Sequence, residues 1–232
     1  MNLARVLVLS IIAVSGTANA GDLDIGVGAA LAMDLPDRIS KDYAHFGPGP
    51  SVQVPIRYAL APSARLRATV RADLGTGEDR VTWGQSIDGA EQRFFDDEHF
   101  AMFIAAGLTA GPEITIPLDG PIAPYFGAEA GAVWIGTYHS LNGVTQQFMD
   151  PTENDLKSTG NIDPYTSQVA FLSDVHVGGM TDGDIGAWFE LGYSLAFVGE
   201  SDLTKTIPGY KARRAAYGWN VARIGAGVNF RL

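Results

Sequence analysis

The chain has 232 residues, a formal net charge of −10, no cysteine, 46% hydrophobic residues and 28 glycines. The missing thiols exclude disulfides, thiolate metal sites and a lipidated-cysteine anchor, and the acidic balance argues against a nucleic-acid partner, since such a chain displaces few phosphate counterions. No run of about eighteen apolar residues follows the N-terminal segment, so no membrane-spanning helix is expected.

The first element in chain order is a targeting segment. Arg5 supplies a positive start, residues 6–14 an almost unbroken apolar run, and Ala18-Asn19-Ala20 a small-x-small cleavage site. This layout predicts a signal peptide over residues 1–20, removed before Gly21, because the apolar run is too short to cross a bilayer. The mature domain then spans 21–232 and carries −11, since Arg5 is the only charge removed. No second domain is expected in it.

Alternation with period two dominates the rest and predicts eight strands, over 23–33, 51–60, 65–74, 100–108, 126–134, 169–177, 187–197 and 222–232. The clearest is Arg65-Leu66-Arg67-Ala68-Thr69-Val70-Arg71-Ala72-Asp73-Leu74, with every even position apolar and every odd one polar or charged. Across the eight apolar faces Ser173 is the single polar intruder. Short connections are expected near 61–64, 118–121 and 181–184, and long acidic ones over 34–50, 75–98, 137–166 and 199–217. Long-short alternation is the habit of a membrane barrel, with short periplasmic turns and longer outer loops. The fold expected is all-β: an eight-stranded antiparallel up-and-down transmembrane β-barrel in the cell outer membrane. A soluble sandwich also alternates, but its strands are shorter. Pro55 lies inside the second strand and cannot donate to a ladder, so a bulge or a loss of pairing is expected there. Pro112 and Pro117 leave the end of the fourth strand open.

The stretch 114–134, with its Pro-Leu-Asp-Gly turn and its Ala-Pro-Tyr-Phe-Gly-Ala-Glu-Ala-Gly-Ala strand, resembles the central hairpin of small outer-membrane barrels. OmpA-like transmembrane domains and OmpW-like proteins belong to that group. Gly227, Phe230 and Leu232 resemble the terminal assembly signal of such barrels, although Gly225 stands where a polar residue is usual. The resemblance implies outer-membrane lipids, lipopolysaccharide and the barrel-assembly machinery as partners. For the OmpW-like branch it also implies lateral transfer of small apolar molecules. The peptidoglycan-binding domain of OmpA-like chains is not expected after Leu232.

The chemistry expected of the barrel is structural. Barrels that deacylate lipid A use a histidine and a serine two residues apart, whereas His139 and Ser140 are adjacent and point to opposite faces of a strand. His176 shares a face with Asp174 but not with Ser173, and is expected to be a satisfied lumen residue. No catalytic residue, metal ligand or cofactor is assigned; the acidic loop residues are expected to be hydrated. An eight-stranded interior is just wide enough to be filled by side chains. Arg57, Arg67, Arg71, Glu129, Asp174, Glu190 and Arg223 are expected to form a lumen ion-pair network, alongside inward Asp73 and Arg231. Counting from the turns puts Arg57 opposite Thr69 and Asp174 opposite Glu190, the two acids sharing Arg71 and Arg223. Arginine at Val70 or Leu191 is expected to disturb membrane assembly, and arginine at lumen-facing Thr69 much less so. The expected role is a structural or surface-interaction module with a plugged polar lumen, its loop ligand unassigned. The alternatives are a narrow channel for small apolar molecules and a lipid A-modifying barrel.

Overall fold

The computed structural model describes residues 23–35, 44–61, 63–87, 90–116, 118–139, 165–199, 201–202, 210–214 and 217–232. The expected signal peptide over 1–20 and its cleavage point lie outside them. Among the described residues every regular element is a strand: β1 (Leu23–Asp34), β2 (Ala44–Phe46), β3 (Gly49–Ala61), β4 (Ala64–Ile87), β5 (Ala90–Thr115), β6 (Ile122–His139), β7 (Tyr165–Thr181), β8 (Ile185–Val198), β9 (Ser201–Asp202), β10 (Tyr210–Arg214) and β11 (Tyr217–Arg231).

Eight of these close a ring in the order β1-β3-β4-β5-β6-β7-β8-β11, each antiparallel to its neighbours, with β11 returning to β1. Closure leaves no sheet edge in the wall, so backbone donors and acceptors pair strand to strand, as a water-free surrounding requires. Alternation in the sequence becomes alternation in space. Val70, Leu74, Ile104, Leu108, Val175, Leu191 and Ile224 point outward and stand 38–54% exposed, while Arg67, Arg71, Glu129, Asp174 and Glu190 point inward and are buried. Exposed aromatics sit toward both ends of the wall: Phe126, Phe189 and Phe230 near the short turns, and Phe100, Tyr138, Phe171 and Phe197 toward the opposite end. Paired aromatic girdles around an aliphatic band are a membrane-barrel feature.

Two of the expected boundaries need correction. Residues 75–98 are not an irregular connection: β4 and β5 continue through them, apart from 88–89, which lie outside the described residues. Beyond Asp73 and Ala101 the two strands leave the ring and pair with one another, and β4 also takes β2 at 77–79 and β10 at 81–85. Strand β9 pairs with β10 in turn. The apolar-polar rhythm that announces a wall strand does not continue through this stretch of the sequence.

The prolines behave differently from a bulge. Opposite β4 the register runs unbroken through Pro55, whereas the pairs between β1 and β3 skip from Ile25–Ile56 to Gly28–Gln53 without changing register. The missing N–H of Pro55 therefore faces β1 and interrupts one ladder locally. Pro112 does the same toward β6, where pairs skip from Ala110–Ala130 to Glu113–Gly127. β5 continues past it to Thr115, while Pro117 lies outside the described residues.

The turns shift the expected registers. Arg57 stands opposite Arg67, and Thr69 opposite Pro55, because a shift between Ala59 and Ala61 tightens the first hairpin. Asp174 stands opposite Ser194, and Glu190 opposite Gly178. In that turn Thr181 Oγ1 accepts the Ala187 N–H at 2.7 Å, and Gly183 takes φ +131°, a conformation that only glycine adopts without strain.

Candidate functional site

Strands pointing charged side chains into a closed ring must satisfy them there, because an unpaired charge away from water is costly. Most inward charged residues of β3, β4, β5, β6, β7, β8 and β11 do so in one connected layer; buried Asp73 has only a 3.6 Å contact with Arg71 among the described residues. Arg67 on β4 is the hub of the layer. Its guanidinium donates across the lumen to both carboxylate oxygens of Glu190 on β8, one of them at 3.1 Å, and lies 3.2 Å from Glu113 and 2.9 Å from Glu129. It also donates to Thr69 Oγ1 at 3.0 Å. The fork of a guanidinium suits this, since it offers five donors in a fixed plane.

Around the hub each carboxylate has further partners. Glu113 accepts Arg57 Nε at 3.0 Å on one oxygen and 3.1 Å on the other. Glu129 accepts the hydroxyls of Thr69 at 3.0 Å and of Thr109, and Glu190 that of Tyr125 at 3.0 Å. Arg57 also donates to Asn229 at 3.2 Å and lies 5.2 Å from the centre of the Tyr125 ring.

Asp174 anchors the upper part of the layer. It accepts Arg71 Nη1 at 2.9 Å, Arg223 Nη2 and the Ser194 hydroxyl, while Ser194 Oγ accepts Arg71 at 2.6 Å and Arg223 as well. His176 lies between the two groups, with Nδ1 3.5 Å from Asp174 and Nε2 3.6 Å from Glu113. The expected sharing of Arg71 and Arg223 by two acids is therefore corrected. Both serve Asp174, and Glu190 takes Arg67, because the wider turn moves Glu190 away from Asp174.

Above the charges the lumen becomes apolar. Phe103, Val133, Ile135, Leu172, Trp219 and Val221 form a buried cluster with several alanines. Trp219 joins the two layers, with its ring 5.3 Å from the Arg71 guanidinium carbon and edge-on to Phe103 at 6.4 Å. Below the charges, at the short-turn mouth, Arg65 and Arg231 meet Asp24 at 3.0 and 3.3 Å.

The C-terminal residues divide between faces. Phe230 and Leu232 point outward, whereas Gly227 faces inward, where an added Cβ would lie 2.7 Å from the Trp188 ring. Thr69 also needs correction as a tolerant position. It is 5% exposed and bonded to Arg67 and Glu129, which leaves a further arginine neither space nor a free partner.

Glu113 escaped the sequence reading. The apolar alternation over 100–108 breaks off after Leu108, although Thr109 and Glu113 continue its inward odd positions. Ser194 was missed because a serine on a lumen face carries no special spacing. His139 ends β6, and Ser140 lies outside the described residues. The serine-aspartate-histidine contacts of the lumen do not activate a nucleophile. The carboxylate stands between the other two, and the serine donates to it rather than to an imidazole.

A closed wall with an apolar exterior, aromatic ends and a charged interior defines the class: a membrane-spanning β-barrel. No protein-family model matches the chain, and no curated protein matches it. Among solved structures it is similar to neisserial surface protein A, at 12% identity and a TM-score of 0.48 over 93% of this chain and 100% of that one. It is also similar to the outer membrane protein OprG of Pseudomonas aeruginosa, at 12% identity and 0.48 over 92% and 97%. The outer membrane protease OmpT of Escherichia coli gives 8% identity and 0.39 over 94% and 99%. The likeness is one of fold, and the residue contacts above are this chain's own.

Proposed function

We propose that the chain is an outer-membrane protein acting as a surface-interaction module, in which a sealed barrel anchors a recognition ribbon. The observation that carries this reading is the continuation of β4 and β5 beyond the ring. Their outer parts, with β2, β9 and β10, make a sheet that contributes nothing to barrel closure. Among the described residues nothing pairs with β5 above Ala101 on the side away from β4. An open edge of this kind can accept a strand from a partner. The lumen supports an anchoring role, since an ion-pair layer and an apolar layer fill it in series. On this reading residues 1–20 are a cleaved export signal and 21–232 the barrel domain, embedded among outer-membrane lipids and lipopolysaccharide by the assembly machinery.

The test is a chain in which residues 78–98 are replaced by a two-residue turn. Cells displaying it should retain heat-modifiable barrel but lose binding to immobilised protein and glycan arrays that the full chain recognises. Equal binding by both would overturn the ribbon as the recognition element. A narrow channel for apolar molecules finds support only in the apolar upper lumen, but that cluster is packed and ends on charged residues.

A further inference from the structure

Among the described residues, the buried charges of the lumen do not balance until His176 is counted. Arg57, Arg67, Arg71 and Arg223 stand against Asp73, Glu113, Glu129, Asp174 and Glu190, four cations facing five carboxylates. At the short-turn mouth Asp24, Arg65, Asp182 and Arg231 pair among themselves and correct nothing above them. The surplus is local, because the ion pairs divide the layer into two groups. Arg71 and Arg223 hold Asp174, with Asp73 beside Arg71, and these four balance. Arg57 and Arg67 hold Glu113, Glu129 and Glu190, which leaves this lower group one positive charge short. An uncompensated buried charge is costly, so the lower group needs a further cation.

His176 stands where that cation is needed. Its buried ring has Nε2 3.6 Å from Glu113 in the lower group and Nδ1 3.5 Å from Asp174 in the upper one. Both are ion-pair contacts rather than ordinary hydrogen bonds. Tyr125 on β6 approaches the ring edge-on, with centres 6.1 Å apart. Farther off, Glu190 on β8 attracts a positive charge on the ring and Arg67 on β4 opposes it. Gly127 on β6 keeps the place open, since a Cβ there would run into Nε2. A neutral imidazole carries one N–H and one lone pair, so one nitrogen would turn its lone pair toward a carboxylate; an imidazolium directs an N–H at each. We propose that His176 is the fifth cation of the lumen, a buried imidazolium that holds a proton between Glu113 and Asp174. The charged layer is then neutral as a whole, and one side chain ties its lower group to its upper one.

The experiment uses the full mature barrel refolded in micelles, with isotope-labelled histidine for NMR. The His176 signals are those lost in His176→Gln. At about pH 8 a solvated imidazole, which titrates near about 6.5, is neutral and shows one bare ring nitrogen. His176 should instead show two protonated nitrogens at that pH. Glu113→Gln removes the surplus charge and one flanking carboxylate, so His176 should lose the second proton in this variant. Asp182→Asn, out at the mouth, should leave both protons in place. Heat-modifiable migration verifies that each variant is folded; if Glu113→Gln fails that check, the spectrum of the unaltered barrel decides alone. A bare ring nitrogen on His176 in the unaltered barrel would overturn the proposal, and so would an imidazolium that persists in folded Glu113→Gln or disappears in Asp182→Asn.

Discussion

At the scale of single residues, the lumen makes Arg67 the least replaceable side chain described. Arg67→Met leaves Glu190 without its cation and removes one partner each from Glu113 and Glu129. Breaking a buried charge pair on one side typically costs about 3–5 kcal/mol. The urea midpoint of the refolded barrel should fall accordingly, and Glu190→Gln in the same chain should recover part of the loss, because the two changes share a contact. On the outer wall, Val70→Arg should cost about 2–4 kcal/mol if Val70 lies near the bilayer midplane, read as reduced folding yield in lipid vesicles. Thr69→Val removes only hydrogen bonds and should cost about 0.5–1.5 kcal/mol. At the mouth, contact with Arg231 lowers the pKa of Asp182 below its ordinary 3.8. A lowered carboxyl pKa in the folded state stabilises above the unfolded pKa and is lost as pH falls through the folded one. Asp182 is almost wholly exposed, so that contribution is small and screened by salt. Its carboxyl titration, followed by NMR, should move upward in Arg231→Gln.

At the scale of elements, wall strands and ribbon obey different rules. A wall strand divides lipid from lumen, so each residue must suit its side, and Arg65 to Leu74 shows the pattern openly. Once the same two strands clear the ring, their sequence no longer carries that alternation. Prolines add a local rule. Pro55 and Pro112 each cancel bonds toward one neighbour while the register holds, since the opposite ladder fixes the strand. Restoring the donor at residue 55 with Pro55→Ala should therefore increase amide-exchange protection along β1 near Gly26 and Val27, with little change in β4. Equal changes on both sides would show that the interruption is not directional.

At the scale of the whole molecule, the stacked charged and apolar layers predict a barrel that is closed to ions. Planar-bilayer recordings of the mature chain should show no sustained conductance steps; a stable open level would mean that the lumen is not sealed by these contacts. N-terminal sequencing of membrane-embedded protein should begin at Gly21, and Met1 there would remove the export signal from the reading. The sequence by itself determined the strand class, the count of wall strands, the inward and outward faces and the short turns. Each follows from local alternation and turn chemistry, which operate over a few residues. It could not determine who meets whom across the lumen. Those partners depend on register, and register was decided by a one-residue shift at Ala59–Ala61 and a widened turn at Gly183, neither visible as a spacing. Glu113 likewise gained its place only when the ring closed and brought β3, β4 and β7 around β5. Contacts between residues 46 to 123 positions apart are set by the closed ring, because only closure fixes the distances over which charges must find one another.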